Sequence, residues 1–160
     1  MEHIAGAEKL TAIFGRWPSF HDAELLTLMF DRETSAVGYD LIAAVHVYDM
    51  TSEVDEDGYF ILLNHTRATF RFYDCNEVAL EDFNQQNVLS DLVFEYEPEP
   101  SEPVEITHRS LSRHLVTFEG CHGLDGTVRC KRVEVLEAVP MNPESLWRKN
   151  DYGSAEAFPS

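Results

Sequence analysis

The chain has 160 residues, of which 44% are hydrophobic, and its 12 lysines and arginines stand against 29 aspartates and glutamates, giving a net charge of −17. This size suits one domain with its own core, which we expect over residues 1–140, followed by a C-terminal tail over 141–160. Such negative charge argues against direct binding to nucleic acid or anionic membranes, because both attract clustered positive charge. The sequence shows no signal peptide and no bilayer-spanning apolar run, so we expect a cytoplasmic location.

The N-terminal residues predict a short helix. Ile4, Leu10, Ile13 and Phe14 fall near helical spacing, and Gly15 is a plausible stop for the helix. The segment over residues 24–31, where apolar residues alternate loosely, then predicts the first strand.

Alternation of apolar and polar residues predicts a series of strands in the rest of the chain. These are residues 39–47, 67–72, 78–80, 92–97, 104–108, 115–119 and 127–139. The last of them changes phase between Cys130 and Val133, which we interpret as a bulge or as burial on both faces. The predicted class is therefore α+β: a mostly antiparallel β-sheet of about seven or eight strands with a short N-terminal helix.

The sequence contains no recognisable metal or cofactor motif. Cys75, Cys121, His122 and Cys130 lack the closely spaced ligand pairs of zinc sites. The acidic run that begins at Asp55 lacks the acidic twelfth ligand of a calcium loop. There is neither a glycine-rich phosphate loop nor a dinucleotide fingerprint, so we expect no metal and no cofactor.

His21, Asp22 and Glu24 are the residues whose types would suit acid/base chemistry, because histidine and carboxylates can tune each other's pKa. In a strand, however, His21 and Asp22 would point to opposite faces and would not meet. No serine or cysteine lies in a recognisable nucleophile motif. We therefore expect no catalytic residues and no enzymatic activity.

The segment that includes these residues combines rare residue types in a short span. Its aromatic residues, Trp17 and Phe20, flank Pro18 and are expected to cover the core where the helix leads into the first strand. Its polar residues, His21, Asp22 and Glu24, could be structural anchors or partner contacts, and both interpretations stay open.

Residues 14–24, which read Phe-Gly-Arg-Trp-Pro-Ser-Phe-His-Asp-Ala-Glu, resemble the N-terminal signature of the immunity protein 50 family of bacterial polymorphic-toxin systems. Residues 83–87 and 126–130 fit the same family, and the likeness extends to about Pro140. The resemblance implies a cytoplasmic protein that binds a cognate toxin domain and blocks it. It brings no catalytic residues, and toxin contacts are not carried over, because such surfaces are expected to differ between pairs.

Two acidic segments are the surfaces we expect to contact that toxin. The first contains four carboxylates in a loop between two strands, Glu53, Asp55, Glu56 and Asp57. The second contains three carboxylates on a connection stiffened by prolines, Glu97, Glu99 and Glu102. Acidic groups would accelerate encounter with a basic toxin domain, and loops on a rigid sheet are usual recognition sites.

Two other functional classes remain open from the sequence. One is a small-molecule-binding or enzymatic β domain with a pocket between the sheet and the helix. The other is a structural subunit of a larger assembly.

Overall fold

The computed structural model describes residues 2–35, 38–98, 105 and 111–144. These residues form nine strands and one complete helix. In chain order the elements are β1 (Ile4–Ala5), α1 (Glu8–Phe14), β2 (Glu24–Asp31), β3 (Tyr39–Val54), β4 (Phe60–Cys75), β5 (Glu77–Glu81), β6 (Val88–Tyr96), β7 (His114–His122), β8 (Asp125–Cys130) and β9 (Arg132–Pro140).

The strands form one sheet in the order β1-β9-β4-β3-β2-β6-β7-β8-β5. Every pairing is antiparallel except that of β1 with β9. The predicted class, α+β with a mostly antiparallel sheet and a short N-terminal helix, is therefore confirmed. The described strands number nine rather than seven or eight. The strand predicted at 104–108 lies outside the described residues.

The sheet bends between β2 and β6, so that its two halves, β1-β9-β4-β3-β2 and β6-β7-β8-β5, enclose one core. β2 and β6 share a single residue pair, and only Asn76 separates β4 from β5, so the chain turns sharply at both places. Rings from the two halves meet in the interior: Phe70 lies 5.5 Å from Phe94, and Phe72 lies 6.0 Å from Phe118. The inward-facing positions of the predicted alternation form this core, which explains why the period-two pattern was readable in the sequence.

The change of phase between Cys130 and Val133 has a different cause from the one predicted. β8 ends at Cys130 and β9 begins at Arg132, so residues 127–139 belong to two strands rather than one. β8 pairs with β7 and β5, whereas β9 pairs with β4 and β1. The prediction of one strand with a bulge or with burial on both faces is therefore wrong: the phase changes because one strand ends at Cys130 and another begins at Arg132, with different neighbours.

The helix covers one edge of the sheet. It ends as predicted at Gly15, which adopts a left-handed conformation (φ 71°) and donates its N–H to the Thr11 carbonyl. Ile4, however, lies in β1 rather than in the helix. Because β1 pairs with only two residues of β9, the next carbonyls of that edge need other donors, and Lys9 Nζ donates to Val135 O and Leu136 O at 2.7 and 3.0 Å.

Candidate functional site

β3 and β4 extend well beyond the strands on either side of them. β2 pairs with β3 only as far as His46, and β9 pairs with β4 only as far as Thr66. Beyond these residues the strand pairs of β3 and β4 are with each other, such as Asp49 with Leu63, and one further backbone hydrogen bond runs from the Met141 N–H to the His65 carbonyl at 2.9 Å. Residues 48–65 therefore form a two-stranded projection, which we call the hairpin arm.

The hairpin arm exposes large apolar side chains. The core residues of the same two strands are 0–1% exposed. By contrast, five apolar side chains of the arm are 47–73% exposed: Met50, Val54, Tyr59, Phe60 and Leu63. The arm also carries five carboxylates and neither lysine nor arginine. A concentration of exposed apolar groups on one element is typical of an interaction surface, and the charge favours a cationic partner.

The four carboxylates of the first predicted contact segment lie at the far end of this arm. We predicted that all four carboxylates lie in a loop, over residues 52–58. Glu53 instead lies on β3, which continues to Val54, so the loop begins only at Asp55. Asp55 stabilises the turn, because its Oδ1 accepts hydrogen bonds from the backbone N–H groups of Asp57 and Tyr59 at 3.0 and 2.9 Å. Glu53, Glu56 and Asp57 are exposed at this tip.

The second predicted segment is placed differently. Glu97 follows the end of β6, and its carboxylate accepts a hydrogen bond from Arg129 Nη1 of β8 at 3.0 Å. This ion pair already occupies the Glu97 side chain within the domain. Glu99 and Glu102 lie outside the described residues.

The base of the hairpin arm is tied to residues 14–24, which we call the signature segment. Arg16 Nη2 donates to Asp49 Oδ1 at 2.8 Å, and the Tyr48 hydroxyl donates to the Asp22 carbonyl at 3.1 Å. Asn64, on the opposite strand of the arm, donates to the other oxygen of Asp49 at 2.9 Å. Both strands of the arm are thus linked to the signature segment at the point where they leave the sheet.

The aromatic residues of the signature segment face the other way, into the core. Phe20 is 1% exposed and Pro18 is buried, while Trp17 is partly buried. The Trp17 ring lies edge-on against Phe20, Phe70 and Phe94 at centroid distances of 5.7–6.5 Å. These contacts support the structural role that we expected for Trp17 and Phe20.

His21 and Asp22 lie in a tight turn rather than in a strand. The Ala23 N–H bonds to the Phe20 carbonyl at 3.0 Å, and Asp22 adopts a left-handed φ of 60°. Aspartate tolerates this conformation better than most residues do. The expectation that the two side chains would not meet is therefore wrong: His21 Nε2 lies 3.6 Å from Asp22 Oδ2, at an exposed position.

Glu24 lies beside a pair of histidines at the base of the hairpin arm. It is opposite His46 on β3, and His46 Nε2 lies 3.0 Å from His65 Nδ1, so one imidazole donates to the other. Burial and the neighbouring His65 lower the pKa of His46 to about 4, and burial raises the pKa of Glu24. In the part of the chain that the structure describes, no three histidine, cysteine or acidic side chains are arranged to hold a metal ion.

The sequence model of immunity protein 50 matches residues 6–141. This range contains the signature segment, the hairpin arm and all strands from β2 to β9. The chain belongs to the immunity protein 50 family. No curated protein and no solved structure matches the chain. Across the described residues, no helix is long and apolar enough to cross a membrane.

This immunity protein 50 family member also contains a cavity of about 340 Å³. It lies between the end of β6, the start of β7, β1 and residues 17–20 of the signature segment, and no residue of α1 lines it. This cavity is therefore a different one from the pocket between the sheet and the helix that the alternative interpretation predicted.

Sequence reasoning did not identify the hairpin arm as a projection. Strand alternation does not show where a neighbouring strand stops, so β3 and β4 looked like ordinary half-buried strands. One signal was present: a single glycine separates the acidic run at 55–57 from five consecutive apolar residues at 59–63. An apolar run on both faces of a strand requires either two covering layers or a partner.

Proposed function

We propose that this protein is an immunity protein that binds a cognate toxin domain in the cytoplasm and neutralises it by stoichiometric occlusion, with no catalytic activity of its own. The hairpin arm is the contacting element in this proposal. The observation that carries it is the combination, on one projecting element, of exposed apolar side chains with five carboxylates and neither lysine nor arginine. Membership of the immunity protein 50 family supplies the class of partner.

The two kinds of side chain on the arm have different roles in such a complex. Tyr59, Phe60 and Leu63 offer the large apolar groups that account for most of the binding energy in protein interfaces. Glu53, Glu56 and Asp57 accelerate encounter with a basic surface and favour the correct partner. A toxin that holds a phosphate backbone needs such a basic surface, so an acidic inhibitor can occupy the site that the nucleic acid would fill.

The links to the signature segment support this assignment. A two-stranded hairpin is marginally stable by itself in water, and hydrogen bonds from Arg16 and Tyr48 hold the base of this one. An element fixed before binding loses less conformational entropy when the complex forms. The family signature thus contributes to function through the position of the arm.

The test is binding of the purified protein to the toxin domain encoded beside its gene, measured with a double variant, Tyr59→Ala with Phe60→Ala. We expect the variant to lose about 2 kcal/mol or more of binding free energy, as for interface hot spots. The matched control is Phe83→Ala, because Phe83 is 50% exposed but lies on the connection between β5 and β6 rather than on the arm. Equal affinity of the arm variant and the control would contradict the assignment.

The charge contribution is tested separately by Glu56→Lys with Asp57→Lys, against Glu81→Lys with Glu119→Lys as a control of equal charge on exposed strand positions. We expect the arm variant to associate more slowly and to lose part of its salt dependence, whereas the control keeps both. Equal association kinetics for the two variants would show that only the total charge of −17 matters.

A further inference from the structure

The cavity beside the signature segment has the composition of a binding site. It has a volume of about 340 Å³, which is within the range of ligand pockets. On one side the cavity lies along β6. This strand pairs with β2 only at Val88, so in the described chain no strand covers that edge of β6 beyond Leu89. Residues 17–20 and the beginning of β1 form the opposite wall.

His114 lines this cavity, and none of the described residues forms a hydrogen bond with its imidazole. Its side chain is 4% exposed and the Tyr96 ring lies edge-on to it at 5.2 Å. Burial and the nearby His3 lower the pKa of His114, so at neutral pH the imidazole is uncharged and one ring nitrogen is an acceptor. A ligand N–H that reaches this acceptor would form a hydrogen bond with it inside the cavity.

The remaining walls are aromatic and acidic. Trp17 and Phe94 offer ring surfaces, and His3 stacks on the Tyr96 ring at 3.6 Å. Asp91 and Glu95 also line the cavity, and there is no lysine or arginine among the described residues around it. An anion would be repelled by these carboxylates. A neutral aromatic group would satisfy the rings but leave the carboxylates and the His114 acceptor unused. A guanidinium group is planar, stacks on aromatic rings and carries only donors, so it matches all three kinds of wall.

We propose that this cavity is a receptor site for a guanidinium group, supplied by an arginine side chain of the partner protein. The source of the arginine rests on the function proposed above, whereas the chemistry of the site does not. Arg16 of the signature segment binds the base of the hairpin arm, and the next residue, Trp17, lines the cavity. A partner that binds the arm would therefore lie close to the cavity. Arginine is also enriched among the residues that contribute most to binding at protein interfaces.

The site can be tested without any toxin by following Trp17 fluorescence during titration with N-acetyl-arginine amide. Trp147→Phe removes the other tryptophan, so that Trp17 is the only reporter. N-acetyl-citrulline amide is the matched control, because it keeps the planar shape but has no charge and one acceptor in place of a donor. We expect a saturable response to the arginine probe and binding of the citrulline probe that is at least about tenfold weaker, as for loss of hydrogen bonds to a charged group.

Variants then locate the response within the cavity. His114→Phe keeps a ring but removes the acceptor, and Glu95→Gln removes a charge; each should weaken binding of the arginine probe by about tenfold. Glu81→Gln, an exposed carboxylate on β5 that does not line the cavity, should leave it unchanged. N-acetyl-tyrosine amide tests the neutral aromatic alternative.

Three outcomes would overturn the proposal: equal binding of the arginine and citrulline probes, tighter binding of the tyrosine probe, or no saturable response to any probe. The last would show that the cavity is a packing defect. None of these outcomes bears on whether the hairpin arm binds a toxin, so failure of this site and failure of the proposed function are distinguishable.

Discussion

The two halves of the β3–β4 hairpin share a hydrogen-bond ladder but differ completely in burial. Within the sheet, Val45 and Phe70 are 0% exposed, and both neighbouring strands pair with the hairpin. In the hairpin arm the ladder continues, yet Phe60 is 55% exposed and no described strand pairs alongside. Both regions are thus antiparallel ladders, although the ladder shifts register between Val47 and Asp49 and between Met50 and Val54 in the arm, and the environment of the side chains differs between them.

This difference shows which part of the hairpin the domain itself needs. Apolar side chains inside the sheet are explained by folding, because their burial stabilises the core. Apolar side chains on the arm contribute little to folding, and a protein that exposes them in a group risks edge-to-edge aggregation. Under the proposed function, binding to the toxin accounts for their presence together with five carboxylates.

The largest predicted contrast is between Phe70→Ala and Phe60→Ala, the same substitution in the two regions. Phe70 contacts the rings of Trp17, Phe20 and Phe94, so its truncation should cost about 3–5 kcal/mol of the free energy of unfolding. Phe60→Ala should change stability by about 0.5 kcal/mol or less, as for surface positions. Urea denaturation of both variants measures this. A loss of several kcal/mol in Phe60→Ala would show that the arm packs against the domain.

The histidine pair at the junction of the two regions should make stability depend on pH. His46 has a folded pKa of about 4, whereas its ordinary value is 6.5. As the pH falls from 6.5 to 4, the unfolded chain binds a proton at His46 that the folded chain does not, so stability decreases across this window. By pH 5 the loss should be on the order of 1–2 kcal/mol.

Other groups at the junction also titrate, so the measurement is a comparison with His46→Gln. Glu24 and His65 lie beside His46, and both remain in the variant. Urea denaturation at pH 7 and at pH 5 should show a larger loss of stability in the unsubstituted protein than in His46→Gln. Parallel pH profiles would mean that His46 is protonated to the same extent in the folded and unfolded chain.

A smaller effect is predicted for the turn that joins the signature segment to β2. Asp22 has a φ of 60°, so Asp22→Ala should destabilise the protein by about 1 kcal/mol through backbone strain. Asp22→Gly removes the same carboxylate but tolerates the conformation, and it should cost less than Asp22→Ala. Thermal or urea denaturation of the pair decides the point. If both variants lose the same stability, the carboxylate rather than the conformation is what the turn requires.

The fold was largely predictable from the sequence because each core strand reports its own burial through alternation. The bounds of β2 and the end of α1 at Gly15 were predicted correctly for this local reason. Properties that depend on distant residues were not predictable. The Arg16–Asp49 hydrogen bond joins residues 33 positions apart, and the cavity brings together β1, β6, β7 and the signature segment. Neither the hydrogen bond nor the cavity produces a periodic pattern of apolar and polar residues in the sequence.

The acidic contact segments show the same division. The carboxylates at residues 53–57 were found because charge runs are visible in a sequence, but their position on a projecting arm depends on where β2 and β9 end. Glu97 looked equivalent by composition, yet the fold places Arg129 within hydrogen-bonding distance of it. Charge runs in the sequence therefore predict candidate contact surfaces. The fold then decides which of these carboxylates are exposed and which are held in ion pairs within the domain.

A small effect on stability, and the sharpest test of the link between the arm and the signature segment, is predicted for Arg16→Gln. Arg16 pairs with Asp49 at 2.8 Å, and its side chain is 64% exposed, so the pair should contribute at most about 1 kcal/mol to the free energy of unfolding. Its effect should be local: without Arg16 the base of the arm loses one of its links, and the arm should open more often than the sheet. Amide hydrogen exchange should therefore accelerate across residues 48–65 and remain unchanged in the core portions of β3 and β4. Arg67→Gln is the matched control, because Arg67 forms a comparable ion pair with Glu137 at 3.1 Å between β4 and β9, away from the signature segment. If Arg67→Gln accelerates exchange in the arm as much as Arg16→Gln does, the signature segment does not hold the arm in position, and its role in the fold is confined to the core contacts of Trp17 and Phe20.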